Sequence, residues 1–505
     1  LEPGCGDGNF LEVLSHLDCS QLREVSAFEI EPAEAAKARK RAPNLDKTEI
    51  NVRAEDYLKW SVIRLHNGIT YDAVVGNPPF VRYQYLDDEL QNYAKKIFEY
   101  HGLNFTRHTN LWVPFVVAAM SQLRPGGKLA MVLPAELLHV RHSGSLRAYL
   151  AQSCSKLLIL DPKDIWFEDT LQGAVILLAK KKHNQSDHSH GVRIVSTRDK
   201  SFTSTDPERF FESGSFANGE TIEGKWMPAL LQSDEREALY KASRIAGVYR
   251  FDDIANVAVG IVTGANKFFL VPDSTVEKYN LGQWAYPMFG RSRQVPGVIY
   301  DRSVHAQNGS NDSPTNFLWF KDLNDKSELP DKALEYIEDG ENQGLDERYK
   351  CRIRDPWFEV PSVYATKMGM LKRSHHYPRL IYNKIAAYTT DTAYRVQSEQ
   401  YAPQSLAFSF VNSLTALSAE LEGRHYGGGV LELVPSEIRR LLIPEPIGGE
   451  KEIYELDSKM RKDHDPDDLI RSQDQIILRG VGLGNSEIKA IHSGWLRLRD
   501  RRHRV

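Results

Sequence analysis

Over the first ~200 residues, short apolar runs alternate with amphipathic ones, a pattern that points to a doubly wound α/β sheet. Leu1-Glu2-Pro3 reads as the end of a strand. A glycine-rich turn, Gly4 to Gly8, leads to a helix from Asn9 to Leu17 with Phe10, Leu11 and Leu14 on one face. Val25 to Ile30 reads as the second strand, and Pro32 to Arg41 as an alanine-rich helix. Glu49 to Arg53 and Tyr71 to Val75 are the third and fourth strands. A helix from Leu111 to Leu123 stops at Arg124-Pro125-Gly126-Gly127. Lys128 to Leu133, Leu157 to Leu160 and Gly173 to Ala179 complete the set; the last is nearly all apolar and is expected to be buried.

A chain of 505 residues is too long for one ordinary core, so two or three domains are expected. The polar stretch Lys180 to His190 interrupts the alternation. Its three histidines are read as part of a solvated loop, and no metal site is assigned. From Gly224 onward Gly, Pro and aromatic residues become dense, and helical periodicity fades until Asn412 to Leu421. Residues 224–448 are therefore expected to form a second domain of irregular β and loop structure, and 449–505 a charged helical tail. Contents of 41% hydrophobic and 26% charged residues are those of a soluble globular protein. No apolar run approaches the ~20 residues that span a bilayer, so no membrane partner is expected. Four cysteines, none paired at zinc-ligand spacing, suit a reducing cytoplasm. A net charge of −4 does not advertise a nucleic-acid binder. Basic clusters nevertheless occur at Lys372, Arg373, His375, His376 and Arg379, and at Arg497, Arg499, Arg501, Arg502 and Arg504; each alone reads equally well as a solvated face.

Chemistry-bearing residues fall at successive strand ends. In Glu2-Pro3-Gly4-Cys5-Gly6-Asp7-Gly8, glycines allow the backbone to approach a ligand, while the acidic residue argues against a pyrophosphate and suits an ammonium-bearing one. A purely structural tight turn is the alternative. Glu29, followed by Ile30, ends the second strand, where a carboxylate can accept both hydroxyls of a ribose. Asp56 alone reads as a helix N-cap; in register with the other two motifs it can accept an adenine amine while Tyr57 covers the ring. Asn77-Pro78-Pro79-Phe80 follows the fourth strand. Two prolines fix two φ angles and remove two donors, so a polar amide and an aromatic project from a rigid strand end. That arrangement suits a flat amine-bearing ring, with the amide oxygen and a nearby main-chain carbonyl as acceptors. Ligands bind at the carboxyl ends of strands in such sheets, so the four motifs are expected to line one crevice.

These residues, in this order, resemble the gamma-class N6-adenine DNA methyltransferases of bacterial restriction–modification systems. Asn77 to Phe80 resembles the family's catalytic motif IV, and the opening glycine turn its motif I. Asn110 to Phe115 resembles motif V, with Phe115 at the position that packs near the cofactor. Arg124 to Pro134 resembles motif VI. Trp166-Phe167 before Leu171 to Val175 resembles motif VIII, whose aromatic helps hold the extruded base. Val259 to Phe269 and Tyr426 to Glu437 resemble segments of the family's target-recognition region.

The resemblance implies a Rossmann-like catalytic domain over 1–223 and a DNA target-recognition domain over 224–448. S-adenosylmethionine would be the methyl donor, held by Glu2, Pro3, Gly4, Gly6, Gly8, Glu29, Ile30, Asp56, Tyr57, Asn77 and Phe115. The catalytic residues would be Asn77, Pro78, Pro79 and Phe80, with Phe80 and Phe167 on the flipped-out adenine of double-stranded DNA. A cognate restriction endonuclease is an expected partner. Enzymes of the same fold that methylate RNA guanine or protein glutamine share the Asn-Pro-Pro motif, and an inactive DNA-binding subunit is a further alternative. The chain begins inside motif I, so the family's upstream motif X and most of the central strand are expected to be missing. No nuclease constellation is evident.

Overall fold

The structure, a computed structural model, describes residues 1–503 apart from 69, 107–108, 141–142, 163–172, 198–205, 213–223, 322, 324–325, 427 and 463–464. The chain divides into two compact units, one ending at Leu231 and the other running from Gln232 to His503.

In the first unit, strands β1 (Glu2–Pro3), β2 (Glu24–Glu29) and β3 (Glu49–Ala54) pair in parallel. Strands β4 (Tyr71–Gly76), β5 (Leu123–Pro134), β6 (Cys154–Pro162), β7 (Ala174–Lys181) and β8 (Val192–Thr197) form a five-stranded sheet in the order β4-β5-β7-β6-β8. The Leu1 nitrogen donates to the Ala73 oxygen at 3.0 Å, and Val75 N–H donates to the Leu1 oxygen at 3.0 Å. That is the bonding pattern of a parallel pair, and it joins the two sheets along β1 and β4. β1 itself is only two residues long.

The pairings are mostly parallel, as expected, but one strand makes the sheet mixed. β7 runs antiparallel to both of its neighbours, β5 and β6. The connection from Pro162 to Ala174 is too short for the crossover of a dozen or more residues that a parallel return needs. A correction concerns Pro125-Gly126-Gly127. These residues do not precede a strand; they lie within β5, where the pairing with β4 is irregular between Tyr71 and Ala73. Gly126 takes a φ of +76°, and Arg124 is ion-paired to Asp72 at 2.6 Å.

Helices α1 (Asn9–Val13), α2 (Pro32–Arg41), α3 (Tyr57–Arg64), α4 (Asp88–Tyr100), α5 (Trp112–Ser121) and α6 (Gly144–Ser153) connect these strands. α5 is buried almost all round, with Trp112, Val113, Val116, Val117, Ala118, Ala119 and Met120 fully enclosed. Its continuous apolar sequence thus marks a central packing element against β5, α3 and α4.

The second unit holds more helix than its composition led us to expect, including Ser233–Ala242 and Asp331–Asn342. Its largest sheet runs, in order, Asn256–Ala258, Ala393–Gln397, Met368–Leu371, Leu380–Asn383 and Ile299–Tyr300. A second core gathers Phe268, Phe269, Trp284, Phe317, Phe320 and Tyr336. Residues from 449 are helical, as read, but they are part of this unit rather than a tail set apart from it. Helices Glu450–Arg461, Pro466–Gly480 and Asn485–His503 bury Leu456, Ile470, Ile477, Ile491, Trp495 and Leu498. Arg502 reaches from the last helix to Glu420, with 0% exposure of either side chain. Burial alone would raise the Glu420 carboxyl, but Arg502 and His425 overcome it and hold the group below the usual carboxylate range. No helix among the described residues is long and apolar enough to cross a membrane.

Candidate active site

The parallel register brings the first strand ends to one edge of the sheet. Pro3 pairs with Phe28, and Phe28 with Arg53, so Gly4, Glu29 and the turn before Asp56 leave their strands side by side. Gly76, the last residue of β4, lies against Pro3: a Cβ on it would stand 3.2 Å from the Pro3 oxygen. The sequence reading passed over Gly76. Its signal was a glycine closing an apolar strand immediately before Asn77.

Gly4 takes a φ of +73°, a conformation that favours glycine. A Cβ on Gly4 would stand 3.7 Å from Phe115 Cε1, 3.8 Å from Pro79 Cδ and 3.9 Å from the Asn77 carbonyl oxygen. Three segments far apart in sequence therefore meet at one glycine. Gly8, with φ +94°, serves a different end. A Cβ there would come within 2.7 Å of the Ala38 Cα, so it allows α1 to close on α2.

Glu29 is held by its own backbone surroundings. Its Oε2 accepts Gly6 N–H at 2.9 Å and its Oε1 accepts Glu31 N–H at 2.9 Å. Each oxygen keeps a lone pair for another donor, so the carboxylate is oriented without being saturated. Ile30 beside it is 55% exposed, an apolar side chain at a strand end with nothing packed over most of it. Asp56 caps α3: its Oδ1 accepts from Leu58 N–H at 2.7 Å and Lys59 N–H at 3.2 Å. Burial nonetheless raises this carboxyl above its ordinary range, those two hydrogen bonds opposing the rise.

Tyr57 is where the reading needs correction. It is 3% exposed, and its hydroxyl donates to Gln122 Oε1 at 3.0 Å. Its ring lies 5.2 Å from that of Phe115 and 5.5 Å from that of Phe28. A ring so enclosed has no open face for a ligand, and it braces Phe115 instead. Phe115, 7% exposed, is the aromatic that meets the glycine turn.

The Asn77–Phe80 segment leaves β4 with Asn77 exposed and Pro78 buried. Phe80 is 37% exposed, a large aromatic that the protein leaves uncovered. Just beyond it, the Val81 oxygen accepts Leu111 N–H at 2.9 Å, which ties the segment to the start of α5, the helix that carries Phe115. Asn110 Nδ2 donates to Glu136 Oε2 at 3.2 Å, linking the same helix start to the residues after β5. Trp166 and Phe167 lie outside the described residues.

Two carboxyl groups, Glu2 and Glu29, flank the glycine turn. Glu2 is 3% exposed, and burial pushes its carboxyl up to about 8. The Cys5 thiol is pushed up to about 12, first by burial and then by the Glu2 and Glu29 carboxylates. A group of positive charge placed here would favour both carboxylates. Among the described residues no three His, Cys, Asp or Glu side chains gather as a metal site would need.

This geometry coincides with what comparison with known proteins finds. Residues 17–166 match the Eco57I restriction-modification methylase family, and residues 223–478 match the C-terminal domain of type II methyltransferase M.Eco57I. Type II methyltransferase M.AccI of Acinetobacter calcoaceticus is 23% identical over 461 residues, covering 87% of this chain and 79% of that protein. M.XamI of Xanthomonas campestris pv. amaranthicola is 22% identical over 463 residues, covering 88% and 80%. Among solved structures, the type IIL restriction-modification enzyme MmeI has the same fold, with a TM-score of 0.58 at 12% identity, over 99% of this chain and 72% of that one. The class so defined is a restriction–modification DNA methyltransferase. Within that class, the chain belongs to the M.Eco57I family of type II methyltransferases.

Proposed function

We propose that this protein transfers a methyl group from S-adenosylmethionine to the N6 amine of an adenine flipped out of double-stranded DNA, as the modification activity of a restriction–modification system. The observation that carries the reading is the approach of Gly4 to the Asn77 carbonyl, Pro79 and Phe115. It joins a turn suited to a cofactor with a segment suited to gripping a planar amine.

The residues present fit S-adenosylmethionine. The left-handed glycine at Gly4 leaves backbone open to close approach, and Glu29 has lone pairs free for ribose hydroxyls. Exposed Ile30 and the second oxygen of Asp56 suit a flat base that carries an amine. The buried Glu2 carboxyl, neutral at pH 7 without ligand, would ionise beside the ammonium and sulfonium charges. When bound, the cofactor supplies an electrophilic methyl on a positively charged sulfur.

An exocyclic adenine amine is a poor nucleophile because its lone pair is delocalised into the ring. The Asn77 side-chain oxygen and the Pro78 carbonyl accept its two hydrogens and draw the nitrogen toward tetrahedral geometry, which frees the lone pair. Both acceptors sit on backbone stiffened by Pro78 and Pro79, so positioning and electrostatics carry the catalysis. Asn77 does not take the proton, since an amide cannot hold it. Extruding the base costs a few kcal/mol. Stacking on the exposed Phe80 ring returns about 1–3 kcal/mol. Phe167 is the proposed second base contact, and a cognate endonuclease the proposed partner.

The test is methyl transfer from radiolabelled S-adenosylmethionine to DNA, RNA and protein side by side. Label in DNA alone supports the proposal; label in RNA or protein and none in DNA contradicts it.

A further inference from the structure

The second unit has a cleft of its own, remote in sequence from the candidate active site. It has a volume of about 380 Å³ and is lined by the turn at Asn266-Lys267, the turn at Gly290-Arg291, Gln294, and the hydroxyl residues Thr390 and Thr392. Two cations stand on its rim. Lys267 and Arg291 are both exposed, and among the described residues neither side chain has a hydrogen-bond or ion-pair partner. Other cations of this unit are neutralised or tied down. Lys372 and Arg373 share Glu432, at 3.3 and 2.8 Å, and Arg379 donates to the carbonyls of Val295, Pro296 and Gly297.

The walls of the cleft are rigid. Asn266 Nδ2 donates to Asp391 Oδ1 at 3.1 Å, and Thr263 Oγ1 donates to Asn266 Oδ1 at 2.5 Å. Arg354 donates to the carbonyls of Val262 and Thr263, and Ile261 N–H donates to the Thr389 oxygen, so the strand and the turn hold each other. Gln294 Oε1 accepts both Gly290 and Arg291 N–H at 2.9 Å and thereby fixes the turn that presents Arg291. Gly290 is required here, since a Cβ on it would stand 2.7 Å from the Thr392 hydroxyl. Two acidic groups stand near this edge, each accepting from an amide: Asp391 from Asn266 and Asp273, next to Pro272, from Asn316.

Two exposed, unpaired cations on a preorganised frame, with the exposed Thr392 on the same cleft, match a polyanion bearing regularly spaced phosphates, while the buried Gln294 and Thr390 hold the frame in shape. We propose that this cleft docks the phosphate backbone of duplex DNA, with Lys267 and Arg291 as its phosphate contacts. The proposal rests on the DNA-methylating reading above, and extends it by assigning the contact surface in the second unit.

The experiment compares the native full chain with Lys267→Gln/Arg291→Gln in binding to duplex DNA as salt is varied. A control, Lys451→Gln, removes the same kind of charge from a lysine that is 82% exposed elsewhere in the unit. Each lost phosphate contact lowers the slope of log affinity against log salt by about 1 and weakens binding roughly tenfold near 0.1 M salt. The double variant should therefore lose about 2 from the slope, while the control keeps the native slope and S-adenosylmethionine binding is the same in all three. A double variant with native slope and affinity, in a protein whose native form binds and methylates DNA, overturns this inference alone. A native protein that neither binds nor methylates DNA overturns the functional reading as well.

Discussion

The buried carboxyl of Glu2 offers the sharpest trade between stability and binding. In the fold it sits near 8, against 4.5 when unperturbed, because burial penalises the charged form. The sign follows from linkage. The contribution of Glu2 to stability is fully present below pH 4.5 and is lost as pH rises through about 8. At pH 7 the unfolded chain carries a carboxylate where the folded one carries a neutral acid. Taking up that proton costs roughly 3 kcal/mol, at 1.36 kcal/mol per pH unit. Glu2→Gln keeps the shape and has no charge to desolvate. It should raise the ligand-free stability at pH 7 by up to about 3 kcal/mol, read from urea denaturation, with less gain at pH 5. The same change should weaken S-adenosylmethionine binding at pH 8.5 by about tenfold or more, since a charge-assisted contact is worth about 1.5–3 kcal/mol. In the native protein, cofactor affinity measured by calorimetry should rise with pH up to about 8 and then level, because a cation selects the carboxylate. A Glu2→Gln variant with native stability and native cofactor affinity would refute the reasoning.

Other consequences are as direct. Phe80→Ala should weaken binding of DNA with a fluorescent adenine analogue at the target position by about 1–3 kcal/mol, with cofactor affinity unchanged; equal loss of both would place Phe80 outside the base site. Glu420→Ala leaves Arg502 buried without its partner and should cost about 3–5 kcal/mol in chemical denaturation; a loss within 1 kcal/mol would show that the pair is not what fixes the last helix. Gly4→Ala and Gly6→Ala both force a side chain into a left-handed conformation, but only at Gly4 does it stand against Phe115 and Pro79, so Gly4→Ala should lower cofactor affinity more.

The edge proposed as the active site stood out in the sequence because each strand there ends in a residue with no business in a core. Gly4, Glu29 and Asp56 stand at or just after the ends of β1, β2 and β3, which parallel pairing aligns, and the hydrogen bonds of Leu1 to Ala73 and Val75 bring β4, and with it Asn77, alongside. Tyr57 was misread because a tyrosine beside a polar strand end looks like a ligand platform, whereas its hydroxyl had a buried partner in Gln122 that only the fold reveals. The antiparallel β7 was hidden because an apolar run carries no direction; the short connection before it was the available clue. The charged appearance of residues 449–503 concealed an interior face, since Arg502 and Trp495 are buried on the last helix and its Arg497 and Arg499 are spent in ion pairs with Glu235 and Asp467. Lys267 and Arg291 were passed over because neither stands in a run of basic residues, and their convergence on one cleft depends on pairing between distant segments.

The central claim is that Asn77 and Pro78 activate an adenine amine for direct methyl transfer. The most direct measurement maps N6-methyladenine in DNA incubated with S-adenosylmethionine and either the native protein or Asn77→Ala, with cofactor binding titrated in parallel. The account predicts N6-methyladenine at one recurring sequence with the native protein, and a loss of at least about a hundredfold in Asn77→Ala while cofactor affinity holds. Normal methylation by Asn77→Ala, or methyl groups on a base other than adenine, would contradict it.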